Sequence, residues 1–266
     1  MEKIMKKIVF WLAFIVGIIA VIGACSKSED SSTAATGACG NLTEVTTSCG
    51  STPSGSITGI DNQTLTGVFS TMHVFGILGS PAGIDNSTDC ISNESLLSSM
   101  EASIGRPDGA LGLIMNTAVT SSSSMSARNI WYSDTSCSTE IARYSNGYIN
   151  VAVGDNVTGL TATVGSKTYS TTATKVTYDM SCFEMKASSD AGVTWLKTFL
   201  SSTTIAPVVG ETHTCRNAAG SKYALMHLDN DTYASGLIGM GLYWEESDSA
   251  LPTAWSSSTD TMTFLP

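Results

Sequence analysis

The chain has 266 residues, 42 % of them hydrophobic and 14 % charged, with a formal net charge of −10. An acidic chain with no run of Lys and Arg repels phosphate backbones, which argues against nucleic acid as a partner. The aliphatic and aromatic content past the N-terminal region is enough for one large folded domain.

The first residues have the layout of an export signal: Lys3, Lys6 and Lys7, then an unbroken apolar run over 8–24. Ile22-Gly23-Ala24-Cys25 resembles the lipobox of bacterial lipoproteins, an aliphatic residue and two small ones before the cysteine that becomes the new N-terminus. The resemblance implies that 1–24 is removed, that Cys25 carries a diacylglycerol, and that the mature chain is held on a membrane of the cell envelope. Ser26, where an Asp tends to retain lipoproteins at the inner membrane, implies the outer membrane in a two-membrane envelope. Two or three acyl chains, at about 0.8 kcal/mol per buried methylene, would anchor it stably. The first 24 residues hold three Lys and one Glu, so the remainder has 10 basic and 22 acidic side chains, a net −12.

Residues 25–56 are mainly Ser, Thr, Gly and Ala with few large apolar groups. Such a stretch buries too little surface to offset its ordering entropy, and it reads as a flexible tether. Six cysteines follow Cys25: Cys39, Cys49, Cys90, Cys137, Cys182 and Cys215. An even number in an exported chain reads as disulfides, and no C-x-x-C spacing supports a zinc ribbon, a redox motif or haem attachment. Their pairing stays open at this level.

Residues 57–266 read as a single β-rich domain, an antiparallel meander forming a barrel or a sandwich with one or two short helices. Strands are expected over 65–78, 111–118 and 126–132, and again over 222–228, 236–244 and 261–265. Between them, period-two alternation runs through Ile149, Val151 and Val153, then Leu160, Ala162 and Val164. It resumes at Val176, Tyr178 and Met180, followed by Phe183 and Met185. Asn146-Gly147, Gly154-Asp155-Asn156 and Gly165-Ser166 supply the expected turns. Helical spacing places Leu96, Leu97, Met100 and Ile104 on one face of 93–104, with Asn93 as N-cap and Gly105 as stop. Val193, Leu196, Phe199 and Leu200 share a face of 190–200.

Leu65-Thr66-Gly67-Val68-Phe69 resembles the Gly-x-Trp opening of lipocalin-like barrels, with Phe69 in place of the Trp. Tyr132-Ser133-Asp134-Thr135-Ser136-Cys137 is similar to a strand-turn element of small lipocalin-like lipoproteins. The likeness covers about half of the domain. It implies a bridge between Cys90 and Cys137, which leaves Cys39–Cys49 and Cys182–Cys215 as the pairs closest in sequence.

Catalytic signatures are sparse. Asp229-Asn230-Asp231-Thr232 fits the D-x-D-x-T pattern of haloacid-dehalogenase-type phosphatases, but only 34 residues follow it and no lysine lies beyond Lys222. As a calcium loop it would need a Glu at its twelfth position, which is Met240. A polar hairpin turn is the expected identity. His73, His213 and His227 are far apart, and a disulfide-bonded Cys215 is lost to metal ligation. No G-x-S-x-G or S-x-x-K sequence marks a nucleophile. Glu245, Glu246 and Asp248 beside Trp244 could serve a glycosidase or hold a cation, but read as a solvated loop. No catalytic residue, metal or cofactor is therefore expected. The expectation is a non-enzymatic, lipocalin-like module binding a small apolar or amphipathic ligand. The alternative is a structural or adhesive surface protein with a solid β core, and the third is an envelope hydrolase. The size of the interior side chains separates the first two.

Overall fold

The computed structural model describes residues 37–45, 49, 52–70, 90–160, 163–164, 167–168, 172–201, 203–216, 220–232, 238–255 and 260–264. The expected sites Cys25 and His73, and the strand expected over 71–78, lie outside them. Among the described residues the fold is mainly β, its strand ladders antiparallel, with two helices.

The strands are β1 (Ser56–Ile60), β2 (Gln63–Thr66), β3 (Val68–Ser70), β4 (Gly112–Ser121), β5 (Ser124–Tyr132) and β6 (Glu140–Thr158). They continue with β7 (Thr163–Val164), β8 (Lys167–Thr168), β9 (Thr172–Ala187), β10 (Thr212–Arg216), β11 (Ser221–Thr232), β12 (Ile238–Ser247) and β13 (Asp260–Phe264). Helix α1 is Glu94–Ile104 and α2 is Asp190–Phe199. The main sheet has the order β10-β9-β11-β12-β13-β3-β4-β5-β6, and β6 pairs in addition with β9. One edge of β9 runs along β6, while β11 pairs with 174–179 and β10 with 182–186.

Two of the expected turns are absent. Asn146-Gly147 and Gly154-Asp155-Asn156 both lie inside the 19-residue β6, so much of the expected meander is one pair of long strands. Irregularities between Gly147 and Ile149, Ile149 and Ala152, and Val153 and Asn156 absorb the residues read as turns. Gly147 is required for a different reason. A Cβ there would meet the Cys49 Cβ at 2.6 Å and the Cys182 Sγ at 3.1 Å.

One face of the sheet carries the core. The register puts Leu113, Met115 and Val119 of β4 beside Trp131, Asn129 and Met125 of β5, and these beside Ala142, Tyr144 and Tyr148 of β6. Phe183, Met185 and Ala187, then Val176, Tyr178 and Met180, extend this face across β9, its parity reset by the irregularity between them. Helix α2 packs Trp195, Leu196 and Phe199 into one end, with the Phe199 ring edge-on to Tyr144 at 4.9 Å. Trp195 Nε1 donates to the Ile104 carbonyl at 2.8 Å and so joins the two helices. Helix α1 begins as expected, capped by Asn93 Oδ1, and α2 is capped by Ser189 Oγ. At the other end the β1–β2 hairpin buries Ile57, Ile60 and Leu65 against Val119, Val151, Val176 and Leu228.

Within the stretch 25–56, read as a flexible tether, residues 37–45 instead dock on the sheet. The Val45 amide donates to the Thr214 carbonyl at 2.9 Å and the Arg216 amide to the Thr43 carbonyl at 2.8 Å, covering the edge of β10. Cys39 and Cys49 are buried and bonded to Cys215 and Cys182. This corrects the pairs Cys39–Cys49 and Cys182–Cys215: both N-terminal cysteines reach across the fold. Cys90 pairs with Cys137. That bridge also lies on a glycine, since a Cβ at Gly112 would sit 2.7 and 2.8 Å from its two sulfurs.

Candidate functional site

The most concentrated polar chemistry on the core face lies where β11 and β12 end against β9. Register places Lys222 opposite Tyr178, and Ala224 opposite Glu246. Lys222, Glu246 and Tyr178 therefore project from one face of three neighbouring strands. The Tyr178 hydroxyl donates to Glu246 Oε2. Lys222 Nζ stands 3.6 Å from Glu246 Oε1 and is also paired with Asp248. The Lys222 and Glu246 side chains are only 9 % and 10 % exposed, whereas Asp248 is 65 % exposed at the rim. Tyr148, Tyr178 and Trp244 enclose the cluster, with ring centroids 5.3–5.4 Å apart and Tyr178 edge-on to both partners.

Burial pushes the Glu246 carboxyl above its ordinary range and Asp248 adds to this, while the Tyr178 hydroxyl and Lys222 oppose it. Burial, with the nearby Glu246 charge, also pushes the Tyr178 phenol well up. The cluster can store a proton in an apolar surround. Each of its ionisable members has a partner within it, and only Asp248 opens broadly to solvent.

The acidic cluster read as a solvated loop is thus half wrong: Glu245 and Glu246 belong to β12, and Glu246 is almost fully covered. Sequence reasoning missed Lys222 and Tyr178 as its partners. The strand alternation 176, 178, 180 carried the signal for Tyr178, but the register that sets Lys222 opposite it did not show. Asp229-Asn230-Asp231-Thr232 forms no hairpin turn, since β11 runs through Thr232. Its backbone pairs antiparallel with β12, unlike the parallel setting a phosphatase of that class needs. His213 lies between two carboxylates, Nδ1 2.9 Å from Glu44 Oε1 and Nε2 3.5 Å from Glu211 Oε2. His227 Nδ1 is 2.5 Å from Asp61 Oδ2. Each histidine ties an N-terminal segment to a later strand, and the structure does not bring the two together with Cys215 as a ligand set. Among the described residues no three His, Cys, Asp or Glu side chains are grouped to hold a metal ion, and no helix is long and apolar enough to cross a membrane. No protein-family model matches the chain, and no curated protein matches its sequence.

Proposed function

We propose that this chain is a lipid-anchored envelope lipoprotein, held through Cys25, whose exported domain is a solid β-barrel acting through its outer surface without catalysis. The strand pairings support closure: they lead from β9 through β11, β12, β13, β3, β4, β5 and β6 back to β9. A closed ring of eight strands would enclose a space that side chains fill or that admits one small ligand. The observation that carries the choice is the filling. Trp131, Tyr178, Phe69 and Phe183 are fully buried, and Tyr144, Tyr148, Trp244 and Met185 add to them on the same face. Helix α2 and the β1–β2 hairpin pack against the two ends of that core. This favours the structural or adhesive reading over carriage of a small apolar ligand. The Glu246–Lys222–Tyr178 network satisfies itself internally, which suits a device that fixes strand register better than a reactive centre.

The deciding experiment titrates a fluorescent apolar probe and a fatty-acid series into the purified protein. The expected result is no saturable probe binding and no thermal shift; saturable binding displaced by a fatty acid would restore the ligand-carrier reading. The anchor is tested separately. Mass spectrometry of the envelope fraction should find acylated Cys25 at the mature N-terminus, and an intact 1–24 segment would refute the lipoprotein assignment.

A further inference from the structure

At the open end of the β11–β12 hairpin, register sets an amine against a carboxylate. Tyr223 of β11 pairs with Ser247 of β12, so Lys222 and Asp248 are the next opposed positions just past that pair. Their side chains meet directly, Lys222 Nζ donating to Asp248 Oδ1 across 26 residues of sequence. Glu246, two residues before Asp248, places its Oε1 3.6 Å from the same nitrogen. The other oxygen of Glu246 accepts from the Tyr178 hydroxyl, which holds the carboxyl group in place.

The surroundings distinguish this group from an ordinary surface ion pair. Lys222 and Glu246 are almost fully covered, and the rings of Tyr148, Tyr178 and Trp244 enclose them. Withdrawing an ammonium from water is costly, and conversion to an amide removes its charge. Groups held in contact react as though at roughly 10⁵–10⁸ M. Such concentrations outweigh the unfavourable equilibrium that free amines and acids meet in water. Burial lifts the Glu246 carboxyl above its ordinary range and the Asp248 charge adds to this, so Glu246 is suited to carry a proton between its neighbours. Asp248, open to solvent at the rim, gives a released water its exit.

We propose that Lys222 and Asp248 condense into an intramolecular isopeptide bond, with Glu246 relaying the proton. The bond between Lys222 Nζ and Asp248 Cγ forms as one Cγ–Oδ bond breaks. Two of the three ammonium protons depart with that oxygen as water, one of them by way of Glu246, and the third stays on the amide nitrogen. No oxidant, reductant or outside substrate takes part. The bond forms once per chain, closes the end of the hairpin beside β9, and stands whether or not the interior admits a ligand. The network that fixes strand register does so, on this account, through a covalent tie.

The experiment is mass analysis of the full chain after denaturation, reduction and trypsin. No Lys or Arg follows Lys222, so an unlinked chain releases 217–222 and 223–266 as separate peptides. The linked chain should yield 217–266 as one piece, one water lighter than its sequence, because trypsin does not cleave after an acylated lysine. Fragmentation should place the loss between Lys222 and Asp248. Lys222→Arg keeps the charge but offers no amine, and its two peptides should separate at full mass. Glu246→Gln keeps the shape of the relay without its proton, and should leave most chains unlinked while circular dichroism is retained. These C-terminal peptides report the bond whatever the state of Cys25. Full release of 217–222 from the unaltered protein, or a water lost elsewhere in 223–266, would reduce the pair to a salt bridge and overturn the proposal. Complete linkage in Glu246→Gln would overturn the relay.

Discussion

The Asp61 carboxylate binds His227 Nδ1 at 2.5 Å and accepts from the Leu228 amide at 3.0 Å, so a single side chain fastens the β1–β2 hairpin to β11. Asp61 and Asn62 both have positive φ, 50° and 61°, as a two-residue hairpin turn requires. Asp61→Ala should therefore lose the clamp and strain the turn, lowering stability by roughly 1–3 kcal/mol. Asp61→Asn should lose less, because Asn tolerates the left-handed conformation and still accepts from Leu228. Urea melts of the two variants check the order, and equal losses would show that the carboxylate charge on His227 carries the whole effect.

Glu246 predicts a pH dependence of definite sign. Its folded-state carboxyl lies above the ordinary 4.5, chiefly through burial, so the folded protein binds the proton more tightly than the unfolded chain does. Its contribution is fully present below about 4.5 and is lost as pH rises through the raised folded value. Glu246→Gln should remove that slope, leaving stability flatter between mildly acidic and neutral pH. A slope that persists unchanged in the variant would assign it to another group.

Peptide mapping under non-reducing conditions should return Cys39–Cys215, Cys49–Cys182 and Cys90–Cys137. Replacing Cys39 and Cys215 together by Ser should cost on the order of 2–4 kcal/mol. A peptide linking Cys39 to Cys49 would contradict the docking of 37–45 on β10.

Phe183 is fully buried, its ring 5.5 Å from Tyr144. Phe183→Ala should cost about 3–5 kcal/mol and open a cavity where the native interior has side chains. The variant, unlike the parent, should then bind a small apolar solute such as benzene. Parent and variant binding it equally would mean that the native interior already holds room.

Asp134 accepts from the Ser136, Ser138 and Thr139 amides and from the Ser136 hydroxyl, which holds its carboxyl well below the usual range. That contribution is present above the ordinary carboxylate value and fades as pH falls through the depressed one. Asp134→Ala should loosen the β5–β6 loop at neutral pH, detectable as faster amide exchange at Ser138 and Thr139.

The parts of the fold readable in sequence were those governed by local periodicity. Helix α1 with its Asn93 cap, helix α2, and the alternation through Val176, Tyr178 and Met180 all stand where side-chain spacing put them. What failed was chemistry with two local meanings. Asn146-Gly147 suits a hairpin turn, but here the glycine makes room for a disulfide between residues 49 and 182. The composition of 25–56 matches a tether, and nothing near Cys39 indicates that its partner lies 176 residues away. The polar cluster was half visible, because Glu246 and Trp244 are near in sequence while Lys222 and Tyr178 arrive only through register.

The early segment that covers β10 also bears on the order in which the molecule can form. A chain that emerges N-terminus first presents Cys39 long before Cys215, and Phe69 of β3 long before its ladder neighbour Phe264. Until β13 appears β3 lacks one of its neighbours, and until β10 appears Cys39 lacks its partner. The nascent chain therefore cannot complete this architecture until almost all of it has been made.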